Sequence, residues 1–228
     1  GNIAGMGKKN WYDPDNNKEF FGEGGAIYNF GAIGLISGNF IGNKTNASGY
    51  SSGGGAIYNM GNIDAINGVF IGNSANTDGY FAHGGAIYNY DNGMNIPTIK
   101  NIDADFIGNY AVEGGAIYNS GDIDSIRGDF IGNYTPFGGS GAAIYNDGTI
   151  GSVSGNFLGN RNNAAILNSS DGKMTLVDDV LFSFNSGGAI NNRGQLNINI
   201  DGIPNVIAMY IGKLNSFDIL TSKNNAIV

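Results

Sequence analysis

The chain has 228 residues, of which 40 are Gly and 35 are Asn, and its aliphatic residues include 29 Ile against 8 Leu. Because β-branched side chains favour strands over helices, this composition predicts an all-β protein with a packed core. The net charge of −8 argues against nucleic acid or an anionic membrane surface as a partner, and the absence of Cys excludes disulfides, thiol catalysis and zinc-finger sites.

The ends of the chain carry little repeated sequence. Residues 1–23, which contain Trp11, predict an irregular N-terminal cap or partial coil, and residues 206–228 predict a strand-like tail or cap. No apolar run is long enough for a membrane helix, and no basic start precedes an apolar run as in a signal peptide. We therefore expect no membrane insertion by this segment, and we expect a fragment or a mature segment of a longer protein.

Residues 24–205 are predicted to form the β-helix repeats, and two short phrases alternate within them as far as residue 192. The first is G-G-A-I-Y-N or a close variant, with its second or only Ala at Ala26, Ala56, Ala86, Ala116, Ala143, Ala165 and Ala189. The second is F-I-G-N or a close variant, starting at Phe40, Phe70, Phe106, Phe130, Phe157 and Phe182. Such a repeat is typical of proteins built from stacked coils.

The two halves of the repeat differ in how strictly their length is kept. From the Ala of the first phrase to the Phe of the second there are 14 residues in four of six intervals, whereas the return from Phe to the next Ala takes between 7 and 16 residues. Insertions that enter at one point of a repeat map to loops on one face. The sequence therefore predicts a right-handed parallel β-helix of about seven coils, with three short strands in each coil.

Stacked coils place equivalent residues about 4.8 Å apart, so repeated residues form ladders. The Ile of each first phrase is predicted to point into the core. The Asn residues of both phrases are predicted to stack at turns and to bond one another, in two ladders that run from Asn29 to Asn168 and from Asn43 to Asn185. The same alignment brings Asp64 beside Lys100, a pair of opposite charges.

The paired G-G-A-I and F-x-x-N tetrapeptides resemble the repeats of chlamydial polymorphic outer-membrane proteins and related autotransporter passengers. The resemblance covers about residues 24–192. It implies a right-handed parallel β-helix that is exported by type V secretion and displayed at the surface of a Gram-negative bacterium. It further implies a role in adhesion, with a host or bacterial cell-surface protein or glycan as the partner. We therefore expect an adhesin or a structural stalk, and an inert stalk that carries some other domain stays open.

Parallel β-helices also include lyases and glycoside hydrolases that act on glycans, so a glycan-active enzyme is the alternative function. Asp105 and Asp129 fall in one column of adjacent coils, Asp178 and Asp179 form the one Asp pair in the sequence, and His83 is the single His. No basic cluster accompanies these acids, and we interpret His83 as an ordinary polar loop residue. We therefore expect no catalytic residues, no metal and no cofactor.

The insertions after F-I-G-N predict the contact surface. Residues 44–53, 74–84 and 134–141 leave the stack at one corner and should emerge side by side. They mix aromatic residues with Gly, Ser, Thr and Asn, as binding loops do, and the predicted binding residues are Tyr50, Tyr80, Phe81, Tyr134 and Phe137. The Tyr column that starts at Tyr28 is a second candidate, either as an outward aromatic stripe or as a self-stacking support of the coil.

Overall fold

The structure is a computed structural model, and it describes residues 1–4, 22–47, 51–77, 81–199 and 219–221. None of these residues belongs to a helix long and apolar enough to cross a lipid bilayer. The strands in chain order are β1 (Ile3–Ala4), β2 (Gly22–Glu23), β3 (Ile27–Asn29), β4 (Ala32–Ile41), β5 (Lys44–Ala47), β6 (Ser51–Gly53), β7 (Ile57–Asn59), β8 (Asn62–Ile71), β9 (Ser74–Thr77), β10 (Phe81–His83), β11 (Ile87–Asn89), β12 (Thr98–Ile107), β13 (Ile117–Asn119), β14 (Asp122–Arg127), β15 (Phe130–Ile131), β16 (Ile144–Asn146), β17 (Thr149–Leu158), β18 (Ile166–Asn168), β19 (Lys173–Ser183), β20 (Ile190–Asn192), β21 (Gln195–Asn199) and β22 (Ile219–Thr221).

The first phrase of each repeat forms one three-residue strand, and these strands stack into a seven-stranded parallel sheet, which we call the short-strand sheet. Its order is β20-β18-β16-β13-β11-β7-β3. Equivalent residues face each other without slippage, as where Ile57 pairs with both Ile27 and Ile87. The predicted all-β fold, a parallel β-helix of seven coils, is confirmed.

The second half of each repeat forms the long-strand sheet, in the order β22-β21-β19-β17-β14-β12-β8-β4 with β15 beside β12 and β17. Here the strands differ from the prediction, because the I-x-x-I and F-I-G-N segments join into single ten-residue strands in β4, β8, β12 and β17. In β4 and β8 the junctions are Gly38 and Gly68, with φ of 142° and 140°. Gly adopts this conformation readily, so the backbone bends there without leaving the hydrogen-bonded ladder.

Two small sheets extend the first coils. They have the orders β1-β5-β9 and β10-β6-β2, and they contain the segments after F-I-G-N. The predicted N-terminal cap at residues 1–23 lies mostly outside the described residues, as does most of the tail at 206–228. Within that tail, β22 pairs in parallel with β21.

The core is built from identical residues in columns. The Phe of the second phrase forms a continuous stack of rings from Phe40 to Phe182, with neighbouring ring centroids 4.6 to 5.0 Å apart and interplanar angles of 18° or less. The Ile of the first phrase and the paired Ile residues of the long strands pack in the same cluster. Outside this core, Lys100 Nζ lies 2.7 Å from Asp64 Oδ1, which confirms the predicted charge pair.

Both Asn ladders are present, and all their members except the half-buried Asn185 are buried. In the first, each Nδ2 donates to the Oδ1 of the next coil at 2.7 to 2.9 Å, from Asn29 to Asn192. In the second, the corresponding distances from Asn43 to Asn185 are 2.8 to 3.2 Å. The second ladder is also tied to the backbone, because each Oδ1 accepts the Asn N–H of the preceding coil.

Asn109 shows how completely one rung is satisfied. Its Oδ1 accepts from N and Nδ2 of Asn73 at 2.9 and 3.0 Å. Its Nδ2 donates to the Phe70 carbonyl at 3.0 Å and to Asn133 Oδ1 at 2.9 Å. Because each group left unpaired in a buried site costs about 1–3 kcal/mol, we expect Asn109→Ala to lower the free energy of unfolding by about 3 kcal/mol.

Urea unfolding measures this loss. The matched control is Asn67→Ala on the exposed face of β8, which should change stability by less than about 0.5 kcal/mol. Equal losses in the two variants would contradict a stabilising role for the ladder.

Phe184 occupies a turn position that most coils give to Gly. In the turn after the outward residue of F-I-G-N, φ is near +60° at Gly42, Gly132 and Gly159. Phe184 has the same backbone conformation, with φ of 56°, and 87% of the residue is exposed. A left-handed conformation costs a non-Gly residue about 1–2 kcal/mol. We expect Phe184→Gly to stabilise the protein by about 1 kcal/mol.

The reverse change is Gly159→Ala. Its added Cβ would meet no atom within 4 Å, so the expected loss of about 1 kcal/mol has a purely conformational cause. Thermal or urea unfolding of both variants tests the pair, and equal midpoints for wild type, Phe184→Gly and Gly159→Ala would show that the turn imposes no strain.

Candidate functional site

The segments after F-I-G-N lie side by side, as the sequence predicts. Lys44 pairs with Ser74, which pairs with Tyr110, and Tyr110 pairs with Tyr134. Farther along the same segments, His83 bridges to Glu113 and Glu113 to Ser140. We call the described residues of these segments, 44–47, 51–53, 74–77, 81–83, 110–113, 134–140 and 161–163, the insertion edge.

The predicted binding residues have different environments on the insertion edge. Phe137 is 92% exposed in the turn closed by Gly139 N–H and the Pro136 carbonyl, and Phe81 is 49% exposed in β10. Tyr134 is partly buried. Tyr50 and Tyr80 lie outside the described residues, so their role stays a prediction.

Tyr134 belongs to a stack that continues into the next coil. Its ring lies 4.8 Å from that of Tyr110. On its other side, Arg161 places Cζ 5.2 Å from the Tyr134 ring centroid, within the range of a cation–π contact. The insertion edge therefore combines aromatic faces with one guanidinium.

Hydrogen bonds from the following coil hold the segment that carries Phe137. Asn162 Nδ2 donates to the Thr135 carbonyl at 2.6 Å. Asn163 Nδ2 donates to Thr135 Oγ1 at 2.7 Å and to the Pro136 carbonyl at 3.3 Å. The exposed ring thus extends from a backbone that is fixed on both sides of Pro136.

An apolar column borders the insertion edge and was missed from the sequence. The Ile after each Phe of F-I-G-N points outward, and Ile41, Ile71 and Ile131 are exposed in one register with Ile107 and Leu158. The alternation of side chains along a strand could have predicted this column, because a Phe that points inward requires a neighbour that points outward. The outward Ile residues therefore add exposed apolar groups to the coils that carry the insertion edge.

The Tyr column is not an exposed stripe. Tyr58, Tyr88 and Tyr118 are buried in a cluster separate from the Ile and Phe core. Segments of the insertion edge fold back and cover them: a Cβ on Gly53 would collide with the Tyr88 ring, and the His83 ring lies 4.6 Å from that of Tyr118. Of the two predicted alternatives, self-stacking support of the coil is therefore the one observed.

Burial raises the pKa of these Tyr hydroxyls. For Tyr58, Tyr88 and Tyr118 the shift is far above the usual value of 10, with desolvation as the largest cause and neighbouring Tyr and acidic groups adding to it. At the more exposed ends of the column, burial raises the pKa of Tyr28 and Tyr145 to about 12.

His83 is more than the ordinary loop residue that the sequence suggested. Its Nε2 lies 3.1 Å from Glu113 Oε2, and its Nδ1 is buried with no hydrogen-bond partner among the described residues. The ring also packs against Tyr88. His83 therefore joins two coils of the insertion edge above the Tyr column, a role hidden in the sequence because the insertions have no common length.

Two of the acids that suggested an enzyme, Asp105 and Asp129, are bonded within the coil stack, whereas the side chains of Asp178 and Asp179 lie outside the described part of the structure. Asp105 Oδ1 accepts the backbone N–H of Asp129 at 2.9 Å, and Asp129 Oδ1 accepts Asn156 Nδ2 at 2.7 Å. This arrangement links three coils. The described residues contain no group of three or more acidic or His side chains suited to a metal ion.

The Tyr column predicts a loss of stability in alkali. The unfolded chain releases its Tyr protons near pH 10, whereas the folded chain retains those of the buried Tyr to higher pH, so the folded state loses stability as pH rises above about 10. Each such group contributes a slope of about 1.4 kcal/mol per pH unit. We expect Tyr88→Phe to lose about 2 kcal/mol less than wild type between pH 9.5 and 11.5, as measured by urea unfolding; parallel losses in the two proteins would contradict burial of the hydroxyl.

Comparison with known proteins identifies one part of the chain. Residues 103–120 match the Chlamydia polymorphic membrane protein repeat, a segment that runs from β12 through F-I-G-N and G-G-A-I-Y-N to the end of β13. No curated protein and no solved structure matched the chain. The chain therefore carries a repeat of the polymorphic membrane protein type, and the resemblance seen in its tetrapeptides is confirmed.

Proposed function

We propose that this chain is an autotransporter-type passenger displayed at the surface of a Gram-negative bacterium, and that it is an adhesin. Its partner is a protein or glycan on a host or bacterial cell, and the insertion edge is the contact surface. The observation that carries the proposal is the exposure of Phe137 and Phe81 on the insertion edge, whose segments follow the outward Ile column in the chain. The match of residues 103–120 to the polymorphic membrane protein repeat supports the surface location.

Contiguous exposed apolar surface is uncommon on soluble monomers and usually marks a contact site. The Ile column that precedes the insertion edge in each coil supplies an apolar strip, because its members are about 4.8 Å apart along the rod. In this strip Ile41, Ile71 and Ile131 are exposed, and Ile107 and Leu158 are half-buried. Phe137 adds an aromatic ring on a held backbone. An ordered aromatic anchor among small polar residues loses little entropy on binding.

The same observations weigh against the two other functions. A glycan-active enzyme requires a carboxylate that can reach a glycosidic bond or a sugar proton. Asp105 and Asp129 instead bond to the next coil, which supports a structural role. An inert stalk requires no exposed aromatic corner, so we propose that the chain is neither an enzyme nor a passive spacer.

The test compares exposed Phe residues on and off the insertion edge. Binding of the purified, labelled chain to epithelial and bacterial cells is measured for wild type, for Phe81→Ser/Phe137→Ser, and for Phe30→Ser. Phe30 is 65% exposed and follows β3, away from the F-I-G-N corner, so it controls for the loss of an exposed ring.

We expect binding to fall by at least about tenfold in the double variant and to stay unchanged in Phe30→Ser, since one buried hydrophobic anchor is worth more than about 1.4 kcal/mol. Thermal midpoints should agree within a few degrees, because these side chains are exposed. Wild-type binding in the double variant would remove the insertion edge as the adhesive surface and favour a stalk.

A further inference from the structure

Resting on the proposed function, we infer that Phe137, Tyr134 and Arg161 form a binding site for a sugar that carries a single carboxylate. The sugar ring would stack on Phe137, and its carboxylate would bind the Arg161 guanidinium. The inference depends on three features of this corner: an exposed aromatic face, an exposed cation held by an aromatic ring, and a backbone that is ordered before the ligand arrives.

Arg161 is held in place and still has its hydrogen-bond donors available. The guanidinium lies over the Tyr134 ring, with 5.2 Å from Cζ to the centroid, and Tyr134 is itself supported by Tyr110. The ion pairs among the described residues join His83 to Glu113 and Lys100 to Asp64, so Arg161 has no carboxylate partner there. A guanidinium that stacks by its face keeps the N–H groups at its edge, and these match the two oxygens of a carboxylate.

Phe137 supplies the apolar half of the site. Sugar rings present C–H groups on one face, and an aromatic face covers them well. Phe137 is nearly fully exposed, and the Asn162 and Asn163 hydrogen bonds fix the chain directly before it. These same Asn residues follow Arg161 in sequence, so the ring and the guanidinium belong to one connected unit.

The backbone next to Arg161 has an unusual conformation that the surrounding residues hold in place. Asn162 has φ of 80°, one of two non-Gly residues in the left-handed region within the described part of the chain. Such conformations cost free energy and persist where the surroundings determine them. In this position, the conformation accompanies the bond from Asn162 to the Thr135 carbonyl. The ligand therefore meets a preorganised site.

The charge of the whole chain selects among acidic sugars. A net charge of −8 repels a polyanion over the length of the rod. One exposed guanidinium offers a local attraction for one carboxylate. The site is therefore suited to a terminal sialic acid or a terminal uronic acid, and it is poorly suited to a sulfated or repeating acidic chain.

The experiment measures binding of the full chain to 3′-sialyllactose, to a disaccharide with a terminal glucuronic acid, to lactose and to heparin, by calorimetry or ligand-observed NMR. The variants are Arg161→Gln, Phe137→Ser and Arg127→Gln. Arg127 is an exposed Arg at the end of β14, so its variant makes the same change of charge away from the site. Comparing the binding of 3′-sialyllactose with that of the glucuronic acid disaccharide shows whether the site prefers the carboxylate of a sialic acid or that of a uronic acid.

We expect saturable binding of at least one carboxylated ligand, with lactose and heparin at least tenfold weaker. Arg161→Gln and Phe137→Ser should each weaken that binding at least tenfold, and Arg127→Gln should leave it unchanged. Absence of saturable binding, equal binding of lactose, or an equal effect of Arg127→Gln overturns the inference.

The proposed adhesin function has a separate readout in the cell assay. If Phe81→Ser/Phe137→Ser loses cell binding while Arg161→Gln retains it, and if removing sialic and uronic acids from the cells has no effect, the partner is a protein. In that outcome the adhesin proposal stands and the carboxylated-sugar site is wrong. If cell binding is lost both in Arg161→Gln and after enzymatic removal of the acidic sugars, the result supports the adhesin function and the carboxylated-sugar site together.

Discussion

The buried hydrogen bonds between equivalent Asn side chains are the interaction on which the whole β-helix depends. At each turn of a coil, backbone N–H and C=O groups face the interior, where an unpaired polar group is costly. The Asn amide can pair with these backbone groups because it carries two donors and an accepting oxygen. Asn133, for example, donates to the Phe106 carbonyl and to Asn160 Oδ1. An Asp in this position lacks the donors, and a Ser lacks the second one.

The ladders also explain why one half of the repeat is variable. The corner after F-I-G-N is fixed by side-chain and backbone bonds to the coils on both sides. The segment after the Asn can therefore differ in length without disturbing the stack. Two uses of this freedom are visible: residues 51–53 and 81–83 fold back over the Tyr column, whereas residues 136–138 form a turn that exposes Phe137. The insertions thus build a second small core and an exposed surface from the same corner.

How far the sequence predicts this structure depends on whether a feature repeats. The Ile and Phe columns, the two Asn ladders and the Asp64–Lys100 pair all follow from aligning identical phrases, because stacked coils place identical residues together. The burial of Tyr88 could not be predicted in this way, since Gly53, His83 and Glu113 cover the column from segments with no shared phrase. The joining of two predicted strands into one could not be predicted either, since it occurs with Gly38 in β4 and Gly68 in β8 and also with Ala104 in β12. For the candidate site, the side-by-side placement of the insertions followed from the repeat, but the contact of Arg161 with Tyr134 did not.

The two ladders also give the rod a direction. In both, every Asn–Asn bond runs from Nδ2 to the Oδ1 of the higher-numbered coil, so these bonds align along the axis and polarise one another. Each inner coil of such a ladder accepts a hydrogen bond from the coil before it and donates one to the coil after it. The Asn side chains therefore specify one direction in which the coils follow one another, in addition to the parallel direction of the strands.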